Sequence, residues 1–230
     1  MKQTPPSGQA GFSLIELAIA LVIIGLIVGG ILLKGGDLID SARLKTVLSQ
    51  VNEIRMAVTT FQDRYNALPG DYDQAKAHIN DRLENGGNNG VIDGNGLKSD
   101  AEAFRFWSHL AAAQLIPDPG KPQDNTPDFG HGAPAAKIGG GFTIEYIDKD
   151  DMQGHWIVLG KKNGDKGNGA LLTPLQAMHL DQKADDGNPS TGRIRAVNGE
   201  NTGDKCLTDD TKQYNTTVKK PACIVYFQLF

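Results

Sequence analysis

The sequence predicts an α+β protein, on three observations. Residues 12–33 form an apolar run in which only Ser13 and Glu16 are polar. Beyond it, Leu44, Val47, Leu48, Val51, Ile54, Val58, Phe61 and Tyr65 recur every three or four residues, the period of one helix face. The second half holds short apolar runs that read as strands, among them FTIEYI (142–147), HWIVLG (155–160) and CIVYFQLF (223–230).

At 1.5 Å per residue the first run is about 33 Å long as a helix, enough to cross a bilayer core. An ordinary secretory signal has a shorter apolar core and a small-residue cleavage site, and no such site lies within the run. The polar stretch before it, MKQTPPSGQAG (1–11), holds two prolines and two glycines, which argue against helix. Its single cation, Lys2, favours a cytoplasmic N-terminus, and Lys34 beyond the run argues mildly the other way.

Glu16 is the anomaly. A carboxylate within an apolar helix costs a few kcal/mol on insertion scales and is read as functional by default. No Lys or Arg lies within reach of it on the same helix. A cut between Gly11 and Phe12 would create an α-ammonium four residues upstream, able to neutralise the carboxylate of a neighbouring copy and set its axial register.

Gly11-Phe12-Ser13-Leu14-Ile15-Glu16 resembles the processing motif of type IV pilins and type II secretion pseudopilins: Gly, an N-methylatable Phe, Thr or Ser, Leu, an aliphatic residue and Glu, followed by an apolar helix. FQDRYNALPGD (61–71) is similar to the turn that follows the stalk helix in many pseudopilins. The resemblance implies a pilin-like fold, with one long helix whose transmembrane half oligomerises and whose amphipathic half packs on a small antiparallel sheet head. It divides the chain into a leader (1–11), a transmembrane helix (12–33), an amphipathic stalk helix (34–68) and a periplasmic or extracellular head (69–230). It also implies cleavage between Gly11 and Phe12 by a prepilin peptidase that methylates Phe12, and a role for Glu16 in assembly. The implied partners are other pilin or pseudopilin subunits and an inner-membrane assembly platform. The implied location is the bacterial inner membrane, single-pass with the N-terminus cytoplasmic, and then the filament. Two family features differ: no proline lies within the helix, and Ser13 stands for the commoner Thr.

The stalk helix is expected to end near Leu68, because Pro69 disfavours helix at its predecessor. Residues 71–100, with ENGGNNGVIDGNG at 84–96, read as a long surface loop. Asp93, Asn95 and Asp100 are candidate calcium ligands, but Val91 occupies a ligand position and no Glu closes the loop. Residues 101–115 read as a helix with Phe104, Trp107, Leu110, Ala111 and Leu115 buried and His109 on the surface. Residues 117–141 read as loop. Thr173-Pro174-Leu175-Gln176 has the signature of a capped helix start, with the helix running to about Lys183. Asp185 and Asp186 read as turn acids rather than a cation site. RIRAV (193–197) and the terminal apolar run are the last strands.

Cys206 and Cys223 are the two cysteines. They lack C-x-x-C spacing and a nearby His, which argues against zinc, and in an oxidising compartment they pair as a disulfide. No cofactor is called for. The formal charge of −4 gives no basic footprint for nucleic acid. Anchored enzymes are disfavoured because no G-x-S-x-G, H-E-x-x-H, P-loop or dinucleotide fingerprint is present. A membrane-anchored binding module for DNA or sugar is a further class, with Trp107 or Trp156 as the sugar platform.

Overall fold

The computed structural model describes residues 13–124, 126–149, 151–210 and 212–230, with the backbone alone for 30–39. The chain divides into two compact units, residues 1–42 and 43–230. Helix α1 spans Leu14–Tyr65, and the short α2 spans Ala75–His78. Helix α3 (Glu102–Ala112) leads to two-residue strands β1 (Asp128–Phe129) and β2 (Gly132–Ala133). Strands β3 (Gly141–Ile147), β4 (Gly154–Asn163) and β5 (Lys166–Gly169) follow, then α4 (Pro174–Ala184), β6 (Ile194–Asn198) and β7 (Cys223–Gln228). The fold is α+β, an N-terminal helix followed by an antiparallel-sheet head.

The main sheet has the order β3-β4-β7-β6, every pair antiparallel, with β5 paired to the far end of β4. Successive strand residues face opposite sides, so one face collects every second residue. Register brings Phe142, Leu159, Val225 and Ala196 into one row and Ile144, Ile157, Phe227 and Ile194 into the next. All eight are buried, and they share one core cluster with Leu44, Val47, Val51, Ile54, Val58 and Phe61 of α1. The predicted helical stripe is therefore the face that the head covers; Leu48 and Tyr65 lie at its margin, half-buried.

Polar contacts fix this segment of α1 along its length. Gln50 donates to the Ala135 carbonyl (3.2 Å) and accepts from the Lys137 amide (3.0 Å). Arg55 donates through Nε and Nη2 to the Gln228 carbonyl at the end of β7. Arg64 donates to the Ala113 carbonyl (3.1 Å), one of the free acceptors at the end of α3.

Several boundaries differ from the sequence reading. Helix α1 stops at Tyr65, not near Leu68, because Asn66 adopts the left-handed conformation (φ 51°) while its amide still bonds the Gln62 carbonyl. Helix α3 closes at Ala112 rather than 115. Gln114 is left-handed (φ 59°), and the amides of Gln114 and Leu115 bond the carbonyls of Ala111 and Leu110, a Schellman closure without glycine. Its buried face is also rotated from the predicted stripe: Ala103, Phe106, Trp107, His109 and Leu110 are buried, whereas Phe104, Ala111 and Leu115 are half-buried. Strand β5, sequence KGNG, has no apolar signal; it forms because β4 continues past residue 160 and leaves an edge to pair. Helix α4 begins as predicted, with the Thr173 and Gln176 side chains each accepting from the other residue's amide.

Phe61 is fully buried, with its ring against those of Tyr65, Tyr72 and His109. Phe61→Ala is expected to cost about 3–5 kcal/mol of head stability, measured by chemical denaturation of the full-length chain in detergent.

Candidate functional site

The predicted processing residues Gly11 and Phe12 lie outside the described residues. What is described begins at Ser13, which precedes the first residue of α1. The Ser13 hydroxyl accepts from the Glu16 amide (3.2 Å), and a Glu16 carboxylate oxygen lies 3.4 Å from the Ser13 amide that donates to it. This is a capping box, S-x-x-E, and it satisfies two of the amide groups that a helix start leaves without partners. The sequence reading missed it, although its signal is visible in Ser13-Leu14-Ile15-Glu16. Glu16 therefore has a local task in the single chain, and its charge also lies at the positive end of the helix dipole.

Beyond Glu16 every described side chain up to Gly29 is exposed. Eleven large apolar residues between Leu14 and Val28 are 48–88% exposed. Covering them would supply on the order of 10–20 kcal/mol, so this surface demands lipid or protein around it. Among the described residues no helix is long and apolar enough to cross a membrane. The predicted span of 12–33 includes Phe12 and the side chains of 30–33, which lie outside the description.

The head holds the other predicted residues. Cys206 and Cys223 form a disulfide, both fully buried, tying the 199–222 connection to the start of β7. Asp93 accepts from Asn89, Asn95 bridges to Glu145 on β3, and Asp100 pairs with Lys98. Trp107 and Trp156 are buried, so neither offers a platform to sugar.

His109 is not on the surface. It is fully buried, pulled inward because both ring nitrogens find backbone partners. The Gly70 amide donates to Nδ1 (3.0 Å), which makes Nε2 the nitrogen that donates to the Glu84 carbonyl (2.8 Å). The Gly/Asn-rich stretch is likewise not a free loop. Asp71, 2% exposed, accepts from the amides of Asn89 and Gly90, and Glu102 accepts from those of Gly87 and Asp93. The His155 Nε2 accepts from the Ile92 amide (3.1 Å), and Ile92 itself is buried. Gly86 packs so tightly that a Cβ there would sit 2.2 Å from the Gly70 carbonyl oxygen.

Asp181, Asp185 and Asp186 place carboxylate oxygens within 4.8 Å of one another, the one such three-acid group among the described residues. Each of the three carboxylates accepts hydrogen bonds from the chain. Asp181 is buried and accepts from the Tyr214 hydroxyl (2.7 Å) and the Gly187 amide. Asp185 accepts from the Ile194 amide, and Asp186 from the Asn188 amide and the Thr191 hydroxyl. Burial pushes the Asp181 carboxyl above its usual range, and the Thr191 and Asn188 hydrogen bonds hold Asp186 below. Asp181 lies near the end of α4, and Asp185 and Asp186 lie in the stretch between α4 and β6, where the sequence reading put turn acids. A hollow of about 620 Å³ in the head is lined by α1 and by the 115–119 and 134–137 segments; none of the five histidines lines it.

The prokaryotic N-terminal methylation motif matches residues 6–32. No curated protein matches the chain. Among solved structures the chain is similar to the major type IV pilin PilA1 of Clostridium difficile, at 14% sequence identity and a TM-score of 0.39, over 84% of this chain and 97% of that one.

Reduction of the Cys206–Cys223 bridge is expected to lower stability by about 3 kcal/mol, read as a shift of the denaturation midpoint of the full-length chain with and without a reductant. The chain thus carries, over residues 6–32, the prokaryotic N-terminal methylation motif ahead of an α+β head.

Proposed function

We propose that this chain is a pilin-like structural subunit with no catalytic site of its own. A prepilin peptidase cuts between Gly11 and Phe12 and methylates the new Phe12 amine. The mature chain waits in the bacterial inner membrane as a single-pass protein, its N-terminus on the cytoplasmic side and its head in the periplasm. An inner-membrane assembly platform then moves it into a type II secretion pseudopilus or a type IV pilus beside other pilin or pseudopilin subunits.

The observation that carries this reading is the methylation motif at residues 6–32 joined to a helix whose first turn holds the acid Glu16 and whose next three turns are bare and apolar. In a filament, neighbouring helices cover that apolar surface. The Glu16 carboxylate, at the N-terminus of its own helix, meets the Phe12 ammonium of an adjacent copy, and in a low-dielectric surround that pairing favours one axial register. An unpaired acid in the same place would be costly, so register and charge neutralisation are set together.

The direct test is intact mass and N-terminal sequencing of the membrane-extracted protein. Loss of residues 1–11 and the mass of one added methyl group are expected; filaments built from chains that still begin at Met1 would overturn the reading. Two substitutions separate the local task of Glu16 from its task between subunits. Ser13→Ala removes the capping hydroxyl, at a cost of about 1 kcal/mol in helix stability, and leaves filament yield near wild type. Glu16→Ala leaves membrane insertion and the head intact and abolishes or greatly reduces incorporation into filaments, scored by immunoblot of sheared filament fractions.

A further inference from the structure

The chain holds six Asn-Gly pairs, at 85–86, 89–90, 95–96, 163–164, 168–169 and 198–199. This dipeptide carries a covalent chemistry of its own. The backbone nitrogen that follows an asparagine can attack that residue's side-chain carbonyl carbon, and glycine puts no Cβ in the way. Attack needs two freedoms: the asparagine side chain must turn, and the glycine N–H must not be held by an acceptor.

Five of the pairs are held. Asn85 Oδ1 accepts from the Lys76 amide (2.9 Å), and the Gly86 amide donates to the Tyr72 carbonyl (2.8 Å). Asn89 accepts from the Val91 amide and donates to Asp93, while the Gly90 amide donates to Asp71. Asn163 is bonded at both ends of its side-chain amide, donating to Asn168 Oδ1 and accepting from Asn201, so Asn168 is held with it. Gly169 pairs with Lys161 of β4. Asn198 Oδ1 accepts from the amides of Cys206 and Leu207, and the Gly199 amide donates to the Ala222 carbonyl. The pair 95–96 is different: among the described residues neither the Asn95 side-chain amide nor the Gly96 N–H has a hydrogen-bond partner. Asn95 is half-buried and lines a hollow of about 80 Å³ with Glu145, which it faces across an isolated antiparallel bridge. A polar hollow of that volume admits water.

We infer that Asn95 is the asparagine of this head that deamidates. The Gly96 nitrogen gives its proton to a solvent base and attacks Asn95 Cγ. The N–Cγ bond forms, the Cγ–Nδ2 bond breaks, and ammonia leaves. Water then opens the five-membered ring at one of its two carbonyls. One opening returns an aspartate in the normal main chain; the other routes the main chain through Cβ as isoaspartate. No oxidant or cofactor takes part. Either product puts a second carboxylate opposite Glu145, and like charges facing each other across an antiparallel pair repel. The isoaspartate also lengthens the backbone by one carbon beside Gly96, where a Cβ would already sit 2.5 Å from the Asp165 carbonyl oxygen. Modification therefore loosens residues 95–97 from β3 and from the turn between β4 and β5.

The test is peptide mapping by mass spectrometry of the full-length chain in detergent, incubated at mildly alkaline pH. Replacement of the side-chain NH2 by OH is expected to accumulate at Asn95. Two hydrogen bonds that must open first slow attack about 30-fold, so Asn85, Asn89, Asn163 and Asn198 should lag by at least that factor. In the denatured chain, incubated in the same way, the preference for Asn95 should vanish. Asn201→Ala removes one of the two bonds on Asn163 and should speed modification there about fivefold while leaving Asn95 unchanged. Modification that appears first at any other Asn-Gly pair of the folded chain would overturn the assignment. So would an Asn95 that stays intact in the folded chain while the denatured chain reacts, or a preference for Asn95 that survives denaturation.

Discussion

The head depends on burying one face of α1 between Leu44 and Phe61. The two apolar rows of the sheet, Phe142 to Ala196 and Ile144 to Ile194, share a single core cluster with that helical stripe. Neither part could bury its apolar face alone, which is the general reason a helix and a sheet pack as layers. The polar clamps then act on a helix already placed. Gln50 and Arg55 hold it to the 135–137 loop and to the end of β7, and Arg64 reaches the end of α3. They satisfy backbone groups that would otherwise be left without partners where the layers meet, and they fix register along the helix axis more than they add stability.

The first turns of α1 show the opposite condition. The segment keeps its apolar side chains exposed, and among the described residues its one acid bonds its own helix start. Capping and intersubunit pairing do not compete. The capping box uses one Glu16 oxygen, and a carboxylate has acceptor positions to spare for a second donor. In the head, by contrast, polar groups are buried wherever the backbone lacks regular structure. The stretch 84–93 has no ladder to satisfy its amides, so Asp71, Glu102 and His155 take that role. Burying carboxylates is costly, and accepting two backbone N–H groups each is what offsets that cost.

Much of the architecture was legible in the residues themselves. Periodicity over 44–65 located the buried helical face, short apolar runs located strands β3 and β4, and Thr173 to Gln176 announced the start of α4. The six residues 11–16 pointed to the methylation motif. These signals are local: a period, a cap or a short motif is complete within a dozen residues. The capping box at Ser13 was equally local and was overlooked because the carboxylate invited a longer-range explanation.

Only the tertiary structure decided the rest. His109 sits off the apolar stripe of its helix, yet it is buried because Gly70 and Glu84, distant in sequence, supply partners for both nitrogens. ENGGNNG reads as loose loop, yet Gly86 must be small and Asp71 must be acidic because the two segments meet backbone to backbone. Strand β5 exists because β4 leaves an edge for it. The sequence by itself determined the buried stripe of α1, the segments of α3, α4, β3, β4, β6 and β7, where the methylation motif lies and which cysteines were available to pair. Tertiary contact determined which polar groups went inside, because the cost of burying a hydrogen-bonding group depends on partners that no local window contains.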